Sequence, residues 1–292
     1  MVDLKDFLKH VDAAHLHDKI CKFRDLDFKR MSYQEVQSAI MEVIVFDTPR
    51  GNISILTPMN ARYPAGTRFY RVRSLPDDDR QLPLRTMSKI ADCWEPPEDI
   101  VRAGRLNRDN ESLLYTAPQS PVVAVEEMKI PDNQLFSLIV YESTDPISVT
   151  MIGAEPNVEG LSNEEVLKVR MIQDFLKHEF IRDVGVGTEY LYRISESITK
   201  DYFDLPPDVQ DAWCYPSVAK KGSFNVCFRK GHRSKLKLIG VQIASVVREG
   251  DNYFFGAKLI AVDSGDGVNL TYHQIGSELQ QKLFPEMSGQ QM

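Results

Sequence analysis

Four runs, residues 135–141, 223–228, 241–247 and 253–262, are dense in β-branched and aromatic side chains and are bounded by Gly, Asn, Asp or Ser. Such runs suit a pleated, half-buried surface and are expected to be strands. Between the first and the second lies the clearest helix signal in the chain. Ser162 stands as its cap, Glu165 completes a capping box, and Val166, Val169, Ile172, Phe175, Leu176 and Phe180 form one apolar stripe. A further helix is expected over 188–203, stopped by Pro206 and Pro207. Strands gathered late, with helices set among them, do not alternate as βαβ units, so the expected fold class is α+β.

Residues 1–60 read as a mainly helical appendage, packed on the rest or offered to a partner. Leu4, Phe7, Leu8 and Val11 follow amphipathic helical spacing, and Ser32 with Glu35 marks a second helix start. The stretch 47–52 is expected to be a turn before a strand over 53–56. Residues 61–265 are expected to be the main domain, and 266–292 a C-terminal segment with a short helix and a frayed tail.

The 292 residues carry 35 Lys and Arg against 42 Asp and Glu, a formal net charge of −7. That balance argues against general affinity for nucleic acid or an anionic membrane. The four cysteines are widely spaced, without a CxxC pair, which disfavours a disulfide framework or a zinc site. Asp3, Lys5 and Asp6 occupy the place of a signal peptide's apolar core, and no apolar run is long enough to span a bilayer. A soluble, cytoplasmic protein is expected. The basic run from Arg229 to Lys237 is expected to be a charged hairpin loop and an edge strand, since Lys235 to Leu238 alternates. Asp77 to Arg80 reads as a solvated turn, and Asp263 to Asp266 as half of a calcium loop without the remaining ligand positions.

Five polar residues stand in otherwise core-like segments: Arg71, Arg105, Tyr115, Glu127 and Ser217. Each has an ordinary explanation on its own. Arg71, with Arg73 on the same face of a strand, suits a paired structural arginine. Arg105 suits a turn, and Tyr115 a core tyrosine whose hydroxyl finds a partner. Glu126 and Glu127 lie about 100° apart on a helix starting at Ser120 and Pro121 and cannot share a face; exposed charge is the ordinary account of both. Ser217 sits at the end of a loop and lacks the GxSxG elbow of a hydrolase nucleophile.

In order, the flanking sequences FYR (69–71), GRLN (104–107), LLYTAxxSPxxAxxE (113–127) and YPSxxxxGxxNV (215–226) closely resemble the RES domain, a family named for its arginine, glutamate and serine. The resemblance runs from about residue 68 to at least 228. It implies a fold similar to ADP-ribosyltransferase toxins, with a split β-sheet core and inserted helices. It further implies an NAD-degrading enzyme, a glycohydrolase or phosphorylase, acting as the toxin of a toxin–antitoxin pair. Arg71 and Arg105 match the family arginines, Tyr115 the tyrosine, Glu127 the glutamate and Ser217 the serine. Glu127, seven residues beyond Ser120, is selected over Glu126 by the family spacing. Leu106 stands where the family usually has tryptophan after its second arginine.

By that resemblance, Glu127 would stabilise an oxocarbenium-like ribose. Arg71 and Arg105 would grip phosphate, Tyr115 would pack on nicotinamide, and Ser217 would fix the ribose or the carboxamide. NAD is then the substrate, inorganic phosphate a candidate co-substrate, and no metal or resident cofactor is called for. A helix-turn-helix antitoxin is the implied protein partner, and a homo-oligomer stays open. Two other readings remain: ADP-ribosyl transfer onto a macromolecule, and a non-catalytic nucleotide-binding module.

Overall fold

In a computed structural model of the chain, residues 4–49, 51–54, 58–76, 78–79, 81–154 and 157–289 are described. Three helices come first, α1 (Leu4–Leu8), α2 (Ala13–Arg24) and α3 (Tyr33–Ile44), followed by the antiparallel pair β1 (Val45–Thr48) and β2 (Gly51–Ser54). Next come β3 (Met59–Tyr63), β4 (Arg68–Ser74), β5 (Leu114–Pro118), α4 (Pro121–Glu127), β6 (Phe136–Ser143) and β7 (Ile147–Met151). Then follow α5 (Asn163–Ile181), α6 (Tyr192–Tyr202), β8 (Ala212–Pro216), β9 (Phe224–Phe228), β10 (Leu236–Glu249), β11 (Asn252–Asp263), β12 (Leu270–Gln274) and α7 (Glu278–Leu283). The class is α+β, as expected. Two units share the chain, one of Met1–Ala61, Asp99–Glu111 and Ser148–Val218, the other of Arg62–Glu98, Ser112–Ile147 and Ala219–Met292.

In the first unit, side-chain caps set the helix starts. The Asp12 carboxylate accepts the His15 N–H at 2.7 Å, while Ser32 with Glu35 and Ser162 with Glu165 form full capping boxes. Each cap satisfies donors that a helix start leaves open, for about 1 kcal/mol. The apolar stripes then meet. Phe23 of α2 packs edge-on to Phe175 of α5, ring centroids 5.0 Å apart, and Leu16, Ile20, Val36, Ile40 and Val43 are all buried. Removing one such side chain from water contributes about 1.5–3 kcal/mol. Lys168, itself buried, donates to the Leu8 carbonyl and pairs with Glu164 at 2.7 Å, tying α1 to α5. Val149 to Met151 of β7 run parallel to Ala212 to Cys214 of β8.

The second unit is built on strands in the order β12-β11-β10-β6-β4-β5-β9, every neighbour antiparallel. Helix α4 lies on one face, where Val123, Ala124 and Val125 join Val72, Leu138, Val140, Ala244 and Val246 in one core. The sheet splits beside β4. All seven β4 residues pair with β6, yet only Phe69 and Tyr70 pair with β5, through Pro118 and Ala117. The other end of β5, Leu114 to Thr116, pairs instead with β9.

Some expectations are corrected. Ser217, expected at the end of a loop, instead directly follows a strand, Ala212 to Pro216, that is buried at every position. A strand buried on both faces shows no alternation, which hides it in a sequence. Strand β10 lies inside the sheet between β11 and β6, not at an edge, although Leu236 to Leu238 pair with β6 alone and pairing with β11 begins at Val241. Residues 55 and 56 of the expected 53–56 strand, Asp77 and Arg80 of the expected turn, and 290–292 of the expected tail lie outside the described residues. Among the described residues, no helix is long and apolar enough to cross a membrane.

Candidate functional site

Tyr115, Glu127 and Asn225 gather on the α4 face of the second unit. Tyr115 pairs across strands with Cys227, so it shares a face with Asn225, two residues along β9. Ala117, on the same face of β5, is in the core with α4. Glu127 ends α4, and its Oε1 accepts a hydrogen bond of 2.7 Å from Asn225 Nδ2. Both Tyr115 and Glu127 are half-buried. Glu126 turns elsewhere: its Oε1 accepts from Arg248 Nε at 2.9 Å and lies 2.7 Å from Nη2. The helix twist thus separates two adjacent carboxylates, one held by an amide and one neutralised by a guanidinium. Asn225 did not figure among the predicted site residues, though it stands in the YPSxxxxGxxNV segment.

Arg71 leaves the sheet on the opposite face. Its neighbours Tyr70 and Val72 contact the α4 core, whereas Arg71 shares a face with Phe69 and Arg73. There Arg71 donates to the Trp94 carbonyl, Tyr141 Oη donates to that of Cys93, and Arg73 donates to that of Asp92 at 2.6 Å. Three consecutive carbonyls at the end of a short 3-10 turn (Ile90–Cys93) are therefore satisfied by three side chains of one sheet face. Burial pulls the Arg73 pKa below its ordinary value, with the Arg71 charge adding to the effect. Burial likewise pushes the Cys93 thiol up to about 12, which leaves it a protonated, unreactive group.

Arg105 and Ser217 belong to the first unit. Arg105 donates to the carbonyls of Phe180 and Arg182, the latter at 3.0 Å, at the C-terminus of α5. A cation there complements the helix dipole and fills open acceptors. Ser217 directly follows β8 and is 5 % exposed. The GRLN loop also walls a cavity of about 650 Å³ with Tyr33, Arg108, Tyr192 and Glu196. Glu196, nearly fully buried, accepts from Arg108 Nε at 2.7 Å. Burial raises its pKa, against the opposing pull of Arg108. Neither Arg108 nor Glu196 carried a sequence signal: a surface-type arginine and a mid-helix glutamate reveal their pairing only when the chain folds.

The structure thus brings Tyr115 and Glu127 together, sets Arg71 on the other face of their sheet, and places Arg105 and Ser217 in the other unit. Among the described residues, no group of three or more His, Cys, Asp or Glu side chains is placed to hold a metal ion. Asp263 and Asp266 spend their carboxylates on their own turn, Asp263 accepting from Gly265 and Gly267, and Asp266 from Val268 and Asn269. No family model, curated protein or solved structure matches the chain.

Proposed function

We propose that the protein is an NAD-degrading enzyme of the RES type, with an ADP-ribosyltransferase-like split core, that cleaves the bond between nicotinamide and ribose. The observation that carries the reading is the hydrogen bond from Asn225 to Glu127, 98 residues apart in the chain, beside Tyr115. Cleavage passes through an oxocarbenium-like ribose, and a carboxylate preorganised by a fixed donor stabilises that charge without having to reorient. Asn225 holds Glu127 in position, Glu127 faces the developing cation, and Tyr115 offers a ring for the flat nicotinamide. Departing nicotinamide regains neutrality, so the reaction needs no strong general acid.

The parting of β4 from β5 after Tyr70 supports the split-core part of the reading. Phosphate gripping by Arg71 then requires the dinucleotide to run through that opening, because Arg71 and Glu127 take opposite faces. Arg105 and Ser217 enter by the resemblance alone. Growth arrest as a toxin, neutralised by a helix-turn-helix antitoxin, follows from the same resemblance.

Incubation of the protein with NAD, with and without inorganic phosphate and candidate macromolecular acceptors, tests the reading in one experiment. Free nicotinamide with ADP-ribose or its 1-phosphate is expected. ADP-ribose attached to an acceptor would instead mark a transferase, and no release of nicotinamide under any condition would overturn the proposal.

A further inference from the structure

We propose that the cavity beside Glu196 is a ligand site separate from the Tyr115–Glu127 pair, built for a guanine nucleotide with its base at Glu196 and its phosphate at Arg102. The cavity, about 650 Å³, has the size of a small-molecule site. Its lining belongs wholly to the first unit, whereas Tyr115, Glu127 and Asn225 belong to the second. Its floor is a carboxylate with an oxygen to spare. Glu196 is 4 % exposed, yet both donors that reach it go to Oε1, Arg108 Nε at 2.7 Å and Tyr33 Oη at 3.4 Å. Oε2 accepts no hydrogen bond from the described residues. A buried acceptor left open costs free energy, which a donor on a ligand recovers.

The other charges of the lining are engaged within the fold. Arg193 donates to the Met31 carbonyl, Asp109 accepts from the Ala103 N–H, and Glu189 accepts from the Gly187 N–H. Arg102 is the exception: it is exposed, and its guanidinium has no partner among the described residues. Tyr190 is half-buried, and its ring meets no other ring or cation of the described residues, unlike Tyr33, whose ring centre lies 5.0 Å from the Arg108 guanidinium. A ligand that uses these groups carries an N–H donor at one end, an anion at the other and a flat ring. An α-amino acid does not, because its ammonium and carboxylate share one carbon, while Glu196 is buried and Arg102 stands in solvent. A nucleoside monophosphate does. Among the bases, a carboxylate, which only accepts, selects guanine for its two adjacent donors, N1–H and N2–H. Adenine and cytosine set a ring-nitrogen acceptor beside their amine. Tyr190 then supplies a face for the base, and Arg102 a fork for the phosphate.

Isothermal titration calorimetry of the full chain with guanosine monophosphate, guanosine and adenosine monophosphate tests the two ends separately. Guanosine monophosphate is expected to bind with a Kd of about 1–100 µM, and adenosine monophosphate at least about tenfold more weakly. Arg102→Ala should weaken guanosine monophosphate about tenfold and leave guanosine, which lacks the phosphate, unchanged. Glu196→Gln should erase the preference for guanine over adenine. Arg102 is exposed and unpaired, so its variant and the guanosine comparison decide the matter even if circular dichroism shows Glu196→Gln to be unfolded. A wild-type chain that does not bind guanosine monophosphate, or binds both monophosphates equally, overturns the proposal. So does an affinity for guanosine monophosphate that is indifferent to Arg102→Ala, or a guanine preference that survives Glu196→Gln in a folded protein. None of these outcomes depends on NAD turnover, so the proposal stands or falls apart from the enzymatic reading.

Discussion

Glu127 and Asn225 illustrate how one amide can divide labour between adjacent carboxylates. Asn225 supplies a donor at 2.7 Å to Glu127, while Arg248 claims Glu126. If Glu127 acts mainly in the transition state, Glu127→Ala should bind NAD with near-original affinity and turn over at least about a hundredfold more slowly, the loss typical of one electrostatic stabiliser. Titration of NAD binding beside steady-state turnover checks this; equal turnover would remove Glu127 from the chemistry. Asn225→Ala should lower kcat about tenfold with little change in KM, because a hydrogen bond to a charged group is worth about 1.5–3 kcal/mol. Asn225→Asp goes further, setting a second negative charge beside Glu127 and moving the acidic limb of the pH–rate profile upward. A merely structural asparagine would leave that limb in place. That two adjacent carboxylates turn different ways was legible from the helical twist, but which of them meets Asn225 and which meets Arg248 was not. The face taken by Arg71 was legible in part, since period-two alternation pairs it with Arg73, but only the register with β6 and the position of α4 reveal that this is the far face from Glu127.

At the level of elements, helix starts were the clearest part of the sequence because their signals are local. Ser32 with Glu35 and Ser162 with Glu165 close the boxes that their spacing announces. Strands β7 and β8 left no such mark: a short run whose residues are largely buried has no polar face to alternate with. The expected solvated turn is corrected at Asp79, a buried carboxylate that organises the approach to the short 3-10 helix Arg85–Met87. Asp79, 2 % exposed, accepts from the Arg85 N–H at 2.9 Å, the Thr86 N–H at 2.8 Å and Thr86 Oγ1 at 2.5 Å. Burial alone would push its pKa up, but the Thr86 and Arg85 bonds and the Arg85 charge outweigh that and leave it below the ordinary carboxylate value. A lowered folded pKa means stability that is complete above the unfolded value and lost as pH falls through the folded one. Asp79→Ala should therefore cost about 2–3 kcal/mol at neutral pH, through donors left unpaired, and lose less on acidification than the parent. Denaturant unfolding at neutral and acidic pH measures both; a cost that does not shrink on acidification would show that the carboxylate's charge is not what holds this turn.

On the scale of the whole molecule, the reach of residues 1–60 was the least legible feature. Their helical periodicity shows in the sequence, but periodicity names an apolar face without naming what covers it. The cover is α5 and α6: Phe23 meets Phe175, Lys168 holds the Leu8 carbonyl at 3.2 Å, and Arg193 donates to that of Met31 at 2.6 Å. Deleting residues 1–60 should therefore expose Ile172, Phe175 and Leu176 and yield an aggregating protein, not a trimmed active domain. Size-exclusion chromatography of the truncated chain would show it; a monomeric, cooperatively melting product would contradict this dependence.

That dependence has a consequence during synthesis. Helix α3 ends at Ile44 and α5 begins at Asn163, so 118 residues separate the last N-terminal helix from the first residue of its cover. At roughly 5–20 residues per second, translation needs on the order of ten seconds to cross that gap. For that interval Leu16, Ile20, Phe23 and Ile40 leave the ribosome with their burying surface not yet made, which marks the nascent first helices as natural clients of a holding chaperone.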